Sequence, residues 1–300
     1  MATKVLLTGA AGLVGRSVAL RLRNDGIDFL GIDISGEKID GVEVVQCDVR
    51  DIQRLHEITL QQKPTAVIHC GAYSGPMLGL DNPAAVISLN VGGTANLLDV
   101  SRIHGIRRFI FCSSVSAVGP TIAPVDENVV LRPTTVYGAT KAACEHLVSA
   151  YRYSFGIEAV CLRLTSVWGP NRKTACVLGA MIKNTVANRE TRMEAGGYSP
   201  TQYLHVDDAA DAIVRALQSD SLQQHAYNIA GDRVMPLSDV AAIVRYVLPG
   251  AKITVGPGSN PLWEWQSEFL LSAASRDLGF TPRVSLEDGI RAFAQAAQTA

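Results

Sequence analysis

The chain has 300 residues, 47% of them hydrophobic and 18% charged, with a formal net charge of −1 at pH 7. That length and apolar content support a sizeable core without disulfides and exclude an intrinsically disordered chain. The longest apolar stretches, such as 157–164 with its Glu158 and Arg163, fall short of the roughly 20 residues a membrane span needs, and the charge balance leaves no footprint for nucleic acid or an anionic membrane surface.

In chain order, residues 5–8 read as a strand entering a glycine turn, and 13–25 as a helix closed by Gly26. Strands are predicted at 29–33, 42–48 and 66–70, then a long helix over 86–104 ended by Gly105 and a strand at 108–112. A helix over 137–155 stops at Gly156 and leads into a strand at 158–164. Strands alternating with helices predict right-handed crossovers and an α/β fold with a mostly parallel, doubly wound sheet. After Thr165 the rhythm breaks into loops around Trp168–Pro170 and Gly196–Pro200, with a helix at 177–188 between them. Residues 203–206 and 227–229 are expected to return to the sheet as strands around a helix at 209–218, and two further helices follow at 237–247 and 286–297. The pattern predicts a cofactor domain from 1–164 and 204–232, and a smaller substrate-binding lid from 165–203 and 233–300.

Six cysteines (Cys47, Cys70, Cys112, Cys144, Cys161, Cys176) form no C-x-x-C pair and read as reduced core thiols. Lys4 runs directly into the first strand without a signal-peptide pattern, so a cytoplasmic protein is expected.

Thr8-Gly9-Ala10-Ala11-Gly12-Leu13-Val14-Gly15 joins the first strand to the first helix. Gly9 permits the tight turn, Gly12 lets the backbone approach a pyrophosphate, and Gly15 allows close helix–strand packing. The helix start offers unpaired N–H groups to phosphates. Asp33 ends the next strand, where a carboxylate suits two ribose hydroxyls and repels a 2′-phosphate; the expectation is NAD rather than NADP. Asp48-Val49 ends the third strand, beside the adenine or as a plain turn.

Tyr137 and Lys141 lie four apart and share one face of a helix. A free phenol titrates near pH 10, so using one as a base at neutral pH requires about 4 kcal/mol of help. An ammonium about 4 Å away supplies that order of energy.

These segments together resemble the extended short-chain dehydrogenase/reductases, the group of NAD-dependent sugar epimerases and dehydratases. The resemblance covers nearly the whole chain and rests on TGAAGLVG, HCGA at 69–72, Asn90, FCSS at 111–114, YGATK at 137–141, LRLTSVWGP from Leu162 and YLHVDDAA from Tyr203. It implies a Rossmann-type fold, with Tyr137 as acid/base, Lys141 as its partner and Ser114 holding the reacting hydroxyl; Ser113 is the alternative one residue away. It assigns NAD binding to Gly9, Gly12, Leu13, Val14, Gly15, Asp33, Asp48, Val49, Cys70, Gly71, Ala72, Asn90, Tyr137 and Lys141. Tyr73, Ser74, Ser113, Ser114 and Ser166 fall on the substrate side. His69 and His205 read as structural, and no metal is expected.

Three departures from the family shape the functional expectation. Val115 and Ser116 stand where dehydratases carry an Asp-Glu pair, so dehydration is not expected. Ser166 replaces an asparagine, and Thr201 an arginine, of the nucleotide-sugar grip, and neither supplies the charge-assisted contacts a diphosphate wants. Arg163, Arg172, Lys173 and Arg192 are the basic residues left to substitute. The expectation is an NAD-dependent dehydrogenase or reductase acting on a free sugar, sugar acid or related hydroxy compound. A nucleotide-sugar 4-epimerase with tightly bound NAD and a non-catalytic NAD-sensing regulator are the alternatives. Helices 86–104 and 137–155 could pair two copies into a homodimer; no nucleic-acid or membrane partner is expected. Trp263 and Trp265 either line the substrate mouth or pack in the core.

Overall fold

Val5, Leu6 and Leu7, all fully buried, place Lys4–Thr8 (β1) at the centre of a parallel sheet. The computed structural model describes residues 3–36, 38–39, 41–260 and 263–299. From β1 the chain runs through α1 (Leu13–Asn24), β2 (Asp28–Asp33), β3 (Val44–Gln46), α2 (Ile52–Gln62), β4 (Ala66–His69), α3 (Pro83–Ile87), α4 (Gly93–Ile103), β5 (Arg108–Ser114), α5 (Val136–Phe155) and β6 (Glu158–Leu164). Then follow β7 (Ser166–Trp168), α6 (Val177–Val186), β8 (Thr191–Met193), β9 (Pro200–Thr201), β10 (Tyr203–His205), α7 (Val206–Gln218) and β11 (Ala226–Ile229). The chain closes with β12 (Met235–Pro236), α8 (Leu237–Val247), β13 (Ile253–Val255), α9 (Ser272–Leu278) and α10 (Leu286–Thr299).

The seven-stranded sheet has the order β11-β6-β5-β4-β1-β2-β3, with every neighbouring pair parallel. Strand order reverses between β1 and β4, the switch point where an open α/β sheet leaves a crevice for ligands. The register aligns Thr8 with Ile32 on β2 and His69 on β4, and His69 with Phe111 on β5. Each next residue (Gly9, Asp33, Cys70, Cys112) therefore emerges at the mouth of that crevice.

Alternate strand residues feed opposite faces. Val5, Leu7, Ile68 and Ile110 pack with Val18 and Leu22 of α1 and Ile213 of α7. Leu6, Val67, Phe109 and Phe111 pack with Leu55 of α2, Leu97 of α4 and Cys144 and Val148 of α5. This is the Rossmann-type α/β architecture expected from sequence. A separate apolar core gathers Trp168, Leu178, Met181, Leu237, Val240, Ile290 and Phe293.

The long helix predicted over 86–104 is instead α3 and α4 joined by a π-helical turn, Ser88–Gly92. Residues 203–206 do not return to the main sheet: β10 pairs with β7 in a two-stranded ribbon, because β11 already occupies the edge beside β6. Helices α2 and α9 lie where no helix was expected; α2 is started by Asp51, whose carboxylate accepts from the Arg54 N–H. No helix among the described residues is long and apolar enough to cross a membrane.

Candidate active site

Two glycines shape the turn after β1. Gly9 has φ +67°, and a Cβ there would fall 2.6 Å from the Gly71 nitrogen. A Cβ on Gly15 would fall 2.0 Å from the Gly9 carbonyl oxygen, so α1 starts hard against the turn. Asp33 is held beside the turn by accepting from the Ala11 N–H at 3.0 Å and the Ser35 N–H at 3.2 Å. The backbone cradle and the adjacent carboxylate fit a dinucleotide pyrophosphate and ribose.

A cleft of about 900 Å³ opens at this point. Gly9, Gly12, Leu13, Val14, Gly15 and Asp33 line one part, with Asp48, Val49, Cys70, Gly71 and Ala72 beside them. Ser74, Ser113, Ser114, Tyr137, Lys141 and Ser166 line another part. Arg50 grips the Asp48 carboxylate through its Nη2 at 2.6 Å and holds that carboxyl below its ordinary range. The Cys70 and Cys112 thiols touch at 3.3 Å in the cleft wall; their hydrogen bond and burial push the Cys70 thiol up.

Two of the expected site residues do not line the cleft, Tyr73 and Asn90. Asn90 is buried in the π-turn, where its amide donates to the Tyr73 carbonyl at 3.2 Å and the Thr140 hydroxyl at 3.0 Å, and its oxygen accepts from the Tyr73 N–H at 2.9 Å. It ties the loop after β4 to α5. His69 is buried between two threonine hydroxyls, Thr8 at 2.7 Å and Thr94 at 3.0 Å. Burial and the nearby Lys141 charge pull its pKa down to about 3, so it stays neutral. His205 caps α7 by accepting from the Asp207 N–H and meets Trp168 edge-on.

Helix α5 begins at Thr135, whose hydroxyl accepts from the Gly138 N–H, and this cap sets Tyr137 and Lys141 facing β5. Lys141 is 4% exposed; its ammonium donates to the Cys112 carbonyl at 2.7 Å and lies 4.7 Å from the Phe111 ring centroid. Ser114 ends β5, and its hydroxyl oxygen accepts from the Ser116 N–H at 3.2 Å. Ser113 instead donates to Glu145 at 2.6 Å, so its proton is committed below the cleft. This geometry separates two serines that adjacency in sequence could not.

Beyond the residues expected from sequence, the cleft is walled by Thr135, Thr165, Tyr203, Trp263, Glu264 and Gln266. Thr165 Oγ1 is buried there without a hydrogen-bond partner among the described residues. Trp263 does both things that sequence left open, lining the cleft and packing against the apolar core of Trp168, Leu237 and Phe293, whereas Trp265 is 44% exposed and outside the lining. Glu264 accepts from the Thr134 hydroxyl at 2.6 Å, and Gln266 donates to the Val115 carbonyl at 3.0 Å. No local pattern marks Trp263, Glu264 and Gln266; they arrive from a loop more than a hundred positions from Val115 and Thr134.

Of the four candidate substitutes for a phosphate-binding arginine, three are engaged. Arg163 is buried against Glu145, and Arg192 pairs with Glu194 away from the cleft. Arg172 donates to Thr174, to the Ala175 carbonyl and to the Val167 carbonyl. Lys173 lines both the cleft and an adjoining groove with Ala11, Gly12 and Arg16.

The family model described as NAD dependent epimerase/dehydratase matches residues 5–230. The chain is similar to the UDP-glucose 4-epimerase of Mycolicibacterium smegmatis, 29% identical over 71% of this chain and 72% of that protein. Its fold matches the UDP-glucose 4-epimerase of Thermus thermophilus in complex with NAD, with a TM-score of 0.89, 25% identity, and coverage of 99% of this chain and 100% of that one. The Thermotoga maritima UDP-glucose 4-epimerase with UDP-glucose gives a TM-score of 0.90 at 22% identity, covering 99% of both chains. Because the family match runs from β1 through β11 and takes in the whole sheet, the chain belongs to the NAD-dependent epimerase/dehydratase family.

Proposed function

We propose that the protein transfers a hydride at a secondary hydroxyl of a sugar, and that it does so as a nucleotide-sugar 4-epimerase. The observation that carries the chemistry is the placing of Tyr137 and Lys141 on one face of α5, in the same cleft as Ser114. Bound NAD supplies the hydride acceptor and donor. Ser114, whose hydroxyl proton has no partner among the described residues, holds the reacting oxygen. Tyr137 takes the hydroxyl proton and returns it, with the buried Lys141 side chain 5.9 Å from its ring centroid on the same helix face. The epimerase form is supported by the similarity to UDP-glucose 4-epimerases over most of the chain.

A second reading is favoured by a specific observation. Thr201 offers no charge in the cleft, and the Arg172 guanidinium is committed to the Val167 and Ala175 carbonyls and Thr174. Such a cleft suits a nucleotide-free sugar or sugar acid, oxidised with NAD as an exchanging co-substrate. One experiment separates the two: NAD released from denatured protein is counted per chain, and UDP-glucose, UDP-glucuronate and free sugar acids are assayed in parallel. About one retained NAD and interconversion of a UDP-sugar are expected. NADH formation from a free sugar acid, with no retained NAD, would select the dehydrogenase. Retention of the Tyr137–Lys141 pair speaks against a non-catalytic sensor. A homodimer built on α4 and α5 is also proposed, supported by the exposure of Ile103, Tyr153 and Phe155.

A further inference from the structure

Helix α5 carries a third polar residue on the face of Tyr137 and Lys141. Glu145 lies one more turn along, and four-residue steps stack all three toward the sheet. Glu145 and Arg163 of β6 are 7% and 5% exposed. Glu145 Oε2 accepts from Arg163 Nη2 at 2.9 Å and Nε at 3.1 Å, while Oε1 accepts from Ser113 Oγ at 2.6 Å. Arg163 Nη1 donates to the Glu127 carbonyl at 3.1 Å. Neither Glu145 nor Arg163 lines the cleft, so neither touches a ligand there.

A buried ion pair is a poor device for stability alone, since well-packed apolar residues of similar volume often do as well. What it does provide is directional, short and geometrically demanding contact. Its location matters here. Lys141 is bonded to the Cys112 carbonyl, and one turn further Glu145 is bonded to the Ser113 side chain. Two successive turns of α5 therefore grip two successive residues of β5, and the next residue is Ser114. Arg163 extends the grip to the neighbouring strand.

We propose that Glu145 and Arg163 are positioning residues for the hydride-transfer reaction: they fix the height and rotation of α5 against the end of β5, and so the approach of Tyr137 to Ser114. The inference rests on the hydride-transfer reading above, and on neither of its finer forms. Misplacing reacting groups by about 1 Å costs on the order of a hundredfold in rate, so the device acts on kcat rather than on binding.

The test uses the full-length protein with its NAD and whichever sugar the wild type turns over. Glu145→Gln keeps the shape and removes the charge; the double variant Glu145→Leu/Arg163→Met removes both charges together. In each, kcat is expected to fall about ten- to a hundredfold, with KM and NAD affinity changed by less than about threefold. With substrate deuterated at the reacting carbon, the isotope effect on kcat is expected to rise toward its intrinsic value. A double variant that unfolds cooperatively near the wild-type temperature, yet keeps wild-type kcat and isotope effect, overturns the inference. If the double variant does not fold, Ser113→Ala decides, because it cuts the tie to β5 and leaves the ion pair intact. A kcat lowered several-fold at unchanged KM supports the role, and an unchanged kcat overturns it. A wild type inactive on every sugar overturns the hydride-transfer reading and this inference with it; an active wild type matched by its variants overturns this inference alone.

Discussion

Lys141 and Cys112 are joined by a 2.7 Å hydrogen bond from a buried ammonium to a main-chain carbonyl, with no carboxylate within ion-pair distance of Lys141 among the described residues. Buried charges ordinarily sit beside an opposite charge. Here the compensation is a carbonyl dipole and the Phe111 ring, which hold the cation without neutralising it. Its positive field remains for Tyr137. Tyr137→Phe is accordingly expected to lower kcat by at least about a hundredfold while NAD binding, followed by fluorescence titration, stays within a few-fold of wild type.

Asp33 accepts from the Ala11 N–H, so its carboxylate is fixed where the adenosine ribose of a dinucleotide would lie against the turn. Asp33→Ser removes that charge and the repulsion of a 2′-phosphate. The ratio of NADP to NAD affinity is expected to rise by about tenfold or more, equivalent to about 1.4 kcal/mol. Titration of both cofactors against wild type and variant checks it.

His69 couples stability to acidity. Its folded pKa of about 3 lies below the ordinary histidine value of 6.5. The unfolded chain therefore binds a proton between those limits that the native state refuses. The stabilisation is complete above pH 6.5 and is lost as pH falls toward 3, at up to about 1.4 kcal/mol per unit. Urea midpoints measured from pH 7 down to pH 5 should fall more steeply for wild type than for His69→Asn.

Gly15→Ala tests the cradle. The added methyl would meet the Gly9 carbonyl at 2.0 Å, a backbone atom that cannot rotate aside. The start of α1 must then move, and NAD affinity is expected to drop by more than about tenfold, with a stability loss of about 1–3 kcal/mol. Calorimetric titration and thermal melts report the two effects separately.

Lys173 tests the nucleotide-sugar form. Arg172 and Lys173 both lie in the loop between β7 and α6 and line the cleft, and neither has an ion-pair partner among the described residues; Arg172 is committed to Thr174 and to the Val167 and Ala175 carbonyls, whereas Lys173 makes no such bond among the described residues. If UDP is part of the substrate, Lys173→Ala should weaken UDP binding about tenfold, the scale of one charge-assisted hydrogen bond, with the effect shrinking at high salt. Equal binding of UDP by both proteins would count against that form.

Much of the cleft could be read from sequence because its constraints are local. The glycine spacing at Gly9, Gly12 and Gly15 reflects contacts within one turn, and the Tyr137–Lys141 spacing reflects a single helix face. What could not be read depends on distant chain segments. The commitment of Ser113 rather than Ser114 becomes visible only once Glu145 of α5 is laid beside β5. Glu264 and Gln266 reach Thr134 and Val115 from a loop without periodicity. The pairing of β10 with β7 turns on which strand has already taken the sheet edge. The π-turn at Ser88–Gly92 left no mark because one added residue barely disturbs the hydrophobic period of so long a segment.

That added residue makes the helix a vernier. In regular α-geometry each residue advances the side chains by roughly 100°, so one extra position offsets everything before Ser88 from everything after Gly92. Within the turn, Leu89 lines the cleft while Asn90, the very next residue, turns inward to Thr140 and offers its carbonyl to Thr94 and Cys144. Deleting one residue there would restore a regular helix of ordinary stability and swing the preceding segment by roughly a quarter turn. The loop after β4 would lose its tie to α5. The irregularity thus sets the phase between the core-packed and the cleft-facing parts of a single helix.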